Sequence, residues 1–143
     1  MYILFVCVFL FSALTFFSST TFAQDDNNFH VIHVQTFKMH GVMGDDAEAF
    51  NESLTRQAGV INGDSRVLRS YVLRHFWGAD SRDLVIVSEF ENSENLYSFY
   101  NDLNGLFEKA FSKEQIDKDD ELWGKYVGQH SDEIYRVVSD TRK

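Results

Sequence analysis

The chain is 143 residues long, with 22 acidic against 13 basic side chains, no proline, a single cysteine and a formal net charge of −9. That length is enough for one domain. The charge argues against phosphate backbones and acidic membrane surfaces as partners, because no cluster of Lys and Arg interleaved with aromatics offsets the repulsion.

The first segment reads as a targeting signal. Residues 2–17 are an almost unbroken apolar run, followed by small polar residues and then Thr21-Phe22-Ala23, which puts small side chains at the two positions a signal peptidase inspects. The run falls short of the roughly 20 residues of a membrane-spanning helix. We therefore expect residues 1–23 to be a signal peptide, cleavage near Ala23, and export to the periplasm or the extracellular space. Residues 24–143 then form a single mature domain with no stable membrane insertion. Cys7 leaves with the signal, so the mature domain has neither disulfides nor thiolate chemistry.

Gln24 to Asn28 is a polar leader. Phe29 to Met39 alternates in the period of two expected of a strand, with His33 and Gln35 on the side shared by Val31 and Phe37. After the turn at His40–Gly44, Asp45 or Asp46 is placed to cap a helix whose apolar residues Ala47, Phe50, Leu54 and Ala58 step by three or four, and Gly59 with Asn62-Gly63 ends it. The stretch from Val67 to Phe90 reads as a hairpin at the centre of a small sheet: Val67–Trp77, a polar loop with Gly78, Asp80 and Asp83, then Leu84–Phe90. Glu91-Asn92-Ser93 offers caps for a second helix with a broad apolar stripe from Leu96 to Phe111. Ser112 caps a further short helix through Ile116, Gly128 to Ser131 turns the chain, and Glu133 to Val138 forms the last strand. This order, two β-α-β halves, predicts an α+β fold: a ferredoxin-like four-stranded antiparallel sheet with helices on one face.

Alternation along the second strand places Arg69, Tyr71, His75 and Trp77 on one face, to which the first strand adds His33 and Gln35. Aromatic surface mixed with an imidazole and hydrogen-bonding groups is the make-up of a small-ligand site, and equally of an interface, where Tyr, Trp and Arg are common. His75 is the candidate general base, because an imidazole titrates near neutral pH. His130 has Asp132 and Glu133 beside it as orienting carboxylates or turn residues. Asp80 and Asp83 are read as turn residues with Arg82 as a salt partner. No metal site is expected, since His30 and His33, three apart on a strand, point to opposite faces.

The run Val85-Ile86-Val87-Ser88-Glu89-Phe90-Glu91-Asn92-Ser93-Glu94-Asn95-Leu96, followed by Tyr100 one turn on, resembles the dimeric α+β barrel superfamily, in particular antibiotic-biosynthesis-monooxygenase-like domains. The resemblance covers residues 29 to 138. It implies a homodimer in which two sheets meet as a barrel, with a pocket in each subunit between sheet and helices. It also admits cofactor-free oxidation of a small aromatic substrate, with His75 and Trp77 nearest the substrate. Haem-degrading members surround the haem with an Asn, a Trp and a His; the first strand has no Asn, so no cofactor is expected. Three readings follow: an exported small-ligand-binding protein, a cofactor-free monooxygenase-like enzyme, and a non-catalytic dimeric interaction module.

Overall fold

The computed structural model describes residues 29–42, 44–138 and 141; the signal segment and the polar leader read from the sequence lie outside them. The elements follow the order β1 (Val31–Met39), α1 (Asp45–Gly63), β2 (Val67–Arg74), β3 (Asp83–Phe90), α2 (Ser93–Ala110), α3 (Lys113–Tyr126) and β4 (Val127–Arg136). The strands make one four-stranded sheet in the order β2-β3-β1-β4, with every pairing antiparallel. This is the predicted ferredoxin-like arrangement. The hairpin is not the centre of the sheet, however: β3 and β1 are interior, and β2 is an edge.

The register sorts side chains into two faces. Val31, His33, Gln35 and Phe37 on β1 lie opposite Phe90, Ser88, Ile86 and Leu84 on β3. Ser88, Ile86 and Leu84 lie in turn opposite Ser70, Val72 and Arg74 on β2. This face carries the helices and two apolar clusters. In one, Val31, Val67 and Phe90 pack with Leu96 and Phe99 of α2; in the other, Leu84 packs with Phe50 and Leu54 of α1. Phe50, Phe90 and Phe99 are fully buried, each contributing about 1.5–3 kcal/mol. Between the clusters runs a polar row, Ser70, Ser88 and His33, all buried. The other face presents Tyr71 and Leu73 from β2, Val85 and Val87 from β3, and Ile32 and Val34 from β1, none of them fully buried.

The helix boundaries show which local signals were sufficient. Asn92 caps α2 by accepting from the Asn95 amide at 2.8 Å, and Ser112 caps α3 by accepting from that of Gln115 at 3.2 Å. Helix α3 runs ten residues past the predicted end at Ile116. Its first turns carry the i,i+4 pairs Lys113–Asp117 and Glu114–Lys118, both 2.8 Å and both on the solvent side, where water screens them. Neither Asp45 nor Asp46 caps α1: the capping position is Gly44 at φ 66°, with no side-chain cap. Asp46 instead accepts from Lys125 Nζ at 2.6 Å and from the Tyr126 hydroxyl, tying the start of α1 to the end of α3. Gly128 sits within β4 and not in a turn, because β4 pairs with β1 over most of its length. A Cβ there would lie 3.0 Å from the Lys38 carbonyl oxygen. No helix among the described residues is long and apolar enough to cross a membrane.

The Ser70 and Ser88 hydroxyls meet at 2.8 Å inside the sheet. Ser88→Ala is expected to destabilise by about 1–2 kcal/mol, because it leaves the Ser70 hydroxyl buried with one partner fewer. The double variant Ser70→Ala/Ser88→Ala should cost clearly less than the sum of the singles in urea denaturation. Additivity would show that the pair does not act as a unit.

Candidate functional site

The polar row continues across the sheet into a cluster on β1, α2 and β4. The His33 imidazole stands edge-on to the Tyr100 ring, with centroids 4.9 Å apart. Its Nδ1 is 2.7 Å from the Tyr100 hydroxyl and its Nε2 is 3.1 Å from Asp132 Oδ1. A carboxylate can only accept, so Nε2 carries the hydrogen and Nδ1 of the neutral ring accepts from the phenol. Asp132 Oδ1 also accepts from Gln35 Nε2 at 2.9 Å, while Oδ2 lies 3.1 Å from His130 Nε2. The His130 ring stacks on Phe37 at 5.4 Å. Register explains the meeting: Asp132 lies directly opposite Gln35, so both point to the helix side.

Burial sets the electrostatics of this cluster. Desolvation lowers the His33 pKa below its usual value, against the pull of Asp132 in the other direction. Desolvation also pushes the Tyr100 phenol up to about 12, although a hydrogen bond from Ser88 works against it. The His33 imidazole and the Tyr100 phenol are therefore held neutral at physiological pH.

Gln35 is where the cluster meets open space. It lines a cavity of about 390 Å³ between the sheet and the helices, whose walls include Phe37, Ile86, Leu103, Phe107 and Trp123. Trp123 is packed edge-on to Phe37 at 5.4 Å and tilted against Phe50 at 5.7 Å. Asp119, also on the wall, is buried and accepts from Arg56 Nη2 at 2.8 Å and Gln115 Nε2 at 3.0 Å.

The residues expected to form one site fall into three places. His33 and Gln35 are together, as described. Arg69 and Tyr71 lie on the opposite, helix-free face, where the Arg69 guanidinium reaches Glu89 at 3.0 Å and the Tyr71 hydroxyl at 3.3 Å. The reason is register: past the irregularity between Val67 and Arg69, His33 is in line with Ser88 and Ser70, so Ser70, Val72 and Arg74 share its face and Arg69, Tyr71 and Leu73 do not. His75 and Trp77 are on neither face, because β2 ends at Arg74. His75 lines a separate depression of about 300 Å³ with His40, Arg74 and Arg82, and its buried Nε2 has no partner among the described residues. Trp77 is 91% exposed and Phe76 fully so, at the loop tip. Asp80 serves the turn as read, accepting from Arg82 and Lys38. Two residues that the sequence does not single out for the site are Trp123, on α3, and Asp132, which it places only beside His130. Their spacing along the chain gives no signal of the meeting, which needs the β1–β4 pairing and the full length of α3.

No protein-family model and no curated protein matches the chain. Solved structures do. A variant of SnoaB, a cofactor-independent oxygenase from Streptomyces nogalater, matches with a TM-score of 0.52 at 13% identity, over 80% of this chain and 98% of that one. A Deinococcus radiodurans protein assigned as an antibiotic biosynthesis monooxygenase matches with a TM-score of 0.54 at 15% identity, over 79% and 97%. A dabb-family protein with a ferredoxin-like fold from Mesorhizobium loti matches with a TM-score of 0.51 at 15% identity, over 78% and 99%. At these identities the likeness is one of fold: the chain has the ferredoxin-like α+β fold found in antibiotic-biosynthesis-monooxygenase-like proteins, as the run from Val85 to Leu96 indicated.

The lowered His33 pKa fixes the sign of a pH effect. The unfolded chain takes up this proton near pH 6.5 and the folded state only at lower pH, so stability is lost as pH falls below about 6.5. His33→Gln should flatten that part of the profile, measured by urea denaturation between about pH 7 and pH 5, above the main carboxylate range. An unchanged slope in the variant would remove His33 as its source.

Proposed function

We propose that this is an exported, homodimeric small-ligand-binding protein, whose ligand lies between sheet and helices against Gln35. The observation that carries the reading is the cavity of about 390 Å³: apolar and aromatic walls with a few polar groups, among them an amide held in place from behind by Asp132. That volume and make-up suit a small organic molecule, orienting it through few hydrogen bonds and holding it through apolar contact. Export rests on the signal-like segment at residues 1–23. Dimer formation rests on the helix-free face of the sheet, where Tyr71 and Leu73 are each about half exposed; an apolar sheet face of this kind is stably covered by another layer.

A second reading, cofactor-free oxidation of an aromatic substrate, is supported by the fold shared with the SnoaB oxygenase. In that reading the imidazole connected to the cavity is His33, through Asp132 and Gln35, and His75 and Trp77 have no part in it.

Three outcomes are expected. The neutral probe N-phenylnaphthylamine should gain fluorescence on binding, and Leu103→Trp, which fills the cavity, should abolish the gain while far-ultraviolet circular dichroism is retained. Binding that survives Leu103→Trp would place the ligand elsewhere. Val87→Glu, on the helix-free face, should convert a dimer to a folded monomer in analytical ultracentrifugation; an unchanged mass would mean that this face is not the interface. Expressed in a secreting host, the protein should have an amino terminus at Gln24 by mass spectrometry, and an uncleaved chain would contradict the signal reading.

A further inference from the structure

Strand β2 lies at an edge of the sheet, so one of its sides faces no other strand. The His75 amide donates to the Asp83 carbonyl oxygen at 3.3 Å. Counting back from it along the paired register, Leu73 and Tyr71 turn their backbone groups to β3, while those of Arg74, Val72 and Ser70 are directed outward. At Ser70 both groups are taken. The Ser70 amide donates to Asn62 Oδ1 at 2.7 Å, and Asn62 Nδ2 donates to the Ser70 carbonyl oxygen at 3.1 Å. This double exchange is the one that a residue of a neighbouring antiparallel strand would make. Asn62 Nδ2 also donates to the Ala58 carbonyl oxygen at 3.0 Å, which holds the amide in this orientation at the end of α1. Past Asn62 the edge opens: Val72 and Arg74 border a groove of about 410 Å³ with Asn51, Leu54, Thr55 and Ala58 of α1.

An exposed edge invites pairing with another chain, and proteins blunt such edges with proline, lysine or a bulge. Strand β2 has an irregularity between Val67 and Arg69 but neither proline nor lysine. Its middle is left to Asn62. With Ser70 open, the outward groups from Ser70 to Arg74 would match the usual strand length of roughly five residues; Val72 to Arg74 alone is at the short limit.

We propose that Asn62 is an autoinhibitory contact: by occupying Ser70 as a neighbouring strand would, it stops β2 of a second copy of this chain from adding antiparallel to β2 of the first. Such pairing puts the same strand on both sides of a two-fold axis, so any two copies present the surfaces it needs. Taken with the dimer through the helix-free face proposed above, a second two-fold contact at the edge would make association open-ended. Asn62 keeps it closed.

Two measurements test this. In the unaltered protein, amide hydrogen exchange followed by NMR should show Ser70 exchanging about tenfold or more slowly than Val72 and Arg74, after correction for intrinsic rates. Equal rates would mean that Asn62 does not occupy the edge. Asn62→Leu, which removes both bonds to Ser70, should raise the mass in analytical ultracentrifugation: from monomer to dimer in the Val87→Glu variant, and beyond the dimer in its absence. Each variant is compared with its own parent, so a parent that is not dimeric contradicts the face reading and leaves the edge proposal standing. Adding Arg74→Pro, at an outward amide where proline costs no bond to β3, should restore the parent's mass. An unchanged mass in Asn62→Leu, or a rise that survives Arg74→Pro, would overturn the proposal. The exchange measurement needs no variant, so it decides the matter even where Asn62→Leu does not fold.

Discussion

An imidazole in the middle of a sheet has to have both nitrogens occupied, and that requirement at His33 organises much of this molecule. Its Nε2 fixes Asp132, hence the helix-side registration of β4 on β1. Its Nδ1 fixes Tyr100, hence the seating of α2 over the sheet. Ser88 reaches the same phenol and Ser70 reaches Ser88, so a chain of polar groups crosses all four strands between two separate apolar clusters. Buried polar networks of this kind are favourable only when each member is satisfied, and they then specify one arrangement more sharply than apolar contact does.

The cavity follows from the same arrangement. Because Asp132 is shared between His33 and Gln35, the Gln35 amide is held where it meets the cavity. The large aromatics Phe99 and Tyr100 pack tightly in the first cluster, while the second is built around Phe50, Leu84 and Trp123. The cavity is walled by residues from β1, β3 and all three helices, and apart from Gln35 its polar groups are amides and carboxylates of the helices. Nothing in this layout needs the hairpin tip, whose Phe76 and Trp77 are directed to solvent.

Much of the fold was legible because its signals are local. Alternation in β1, the strand-forming run of β3, the stripe of α2, and the caps at Asn92 and Ser112 each depend on residues within a few positions of one another. The candidate site was only half legible. His33 and Gln35 were picked out from their strand, but alternation states which residues of one strand share a face and leaves open which face of the next strand joins them. That is decided by register, and it separated Arg69 and Tyr71 from His33. His75 and Trp77 were misassigned because a run of β-forming residues was read three positions past the last paired residue, Arg74. The His33–Asp132 contact spans 99 positions, and no spacing rule reaches that far.

The central claim is that His33, and not His75, belongs to the ligand site. Nitrogen-15 NMR of the imidazoles tests it directly, since the chain has only five histidines and the two tautomers give distinct nitrogen shifts. The account predicts that His33 is neutral near pH 7 with its proton on Nε2, and that its signals move when N-phenylnaphthylamine is added while those of His75 stay in place. Movement of His75 with His33 unchanged would contradict it and put the ligand at the loop end of the sheet.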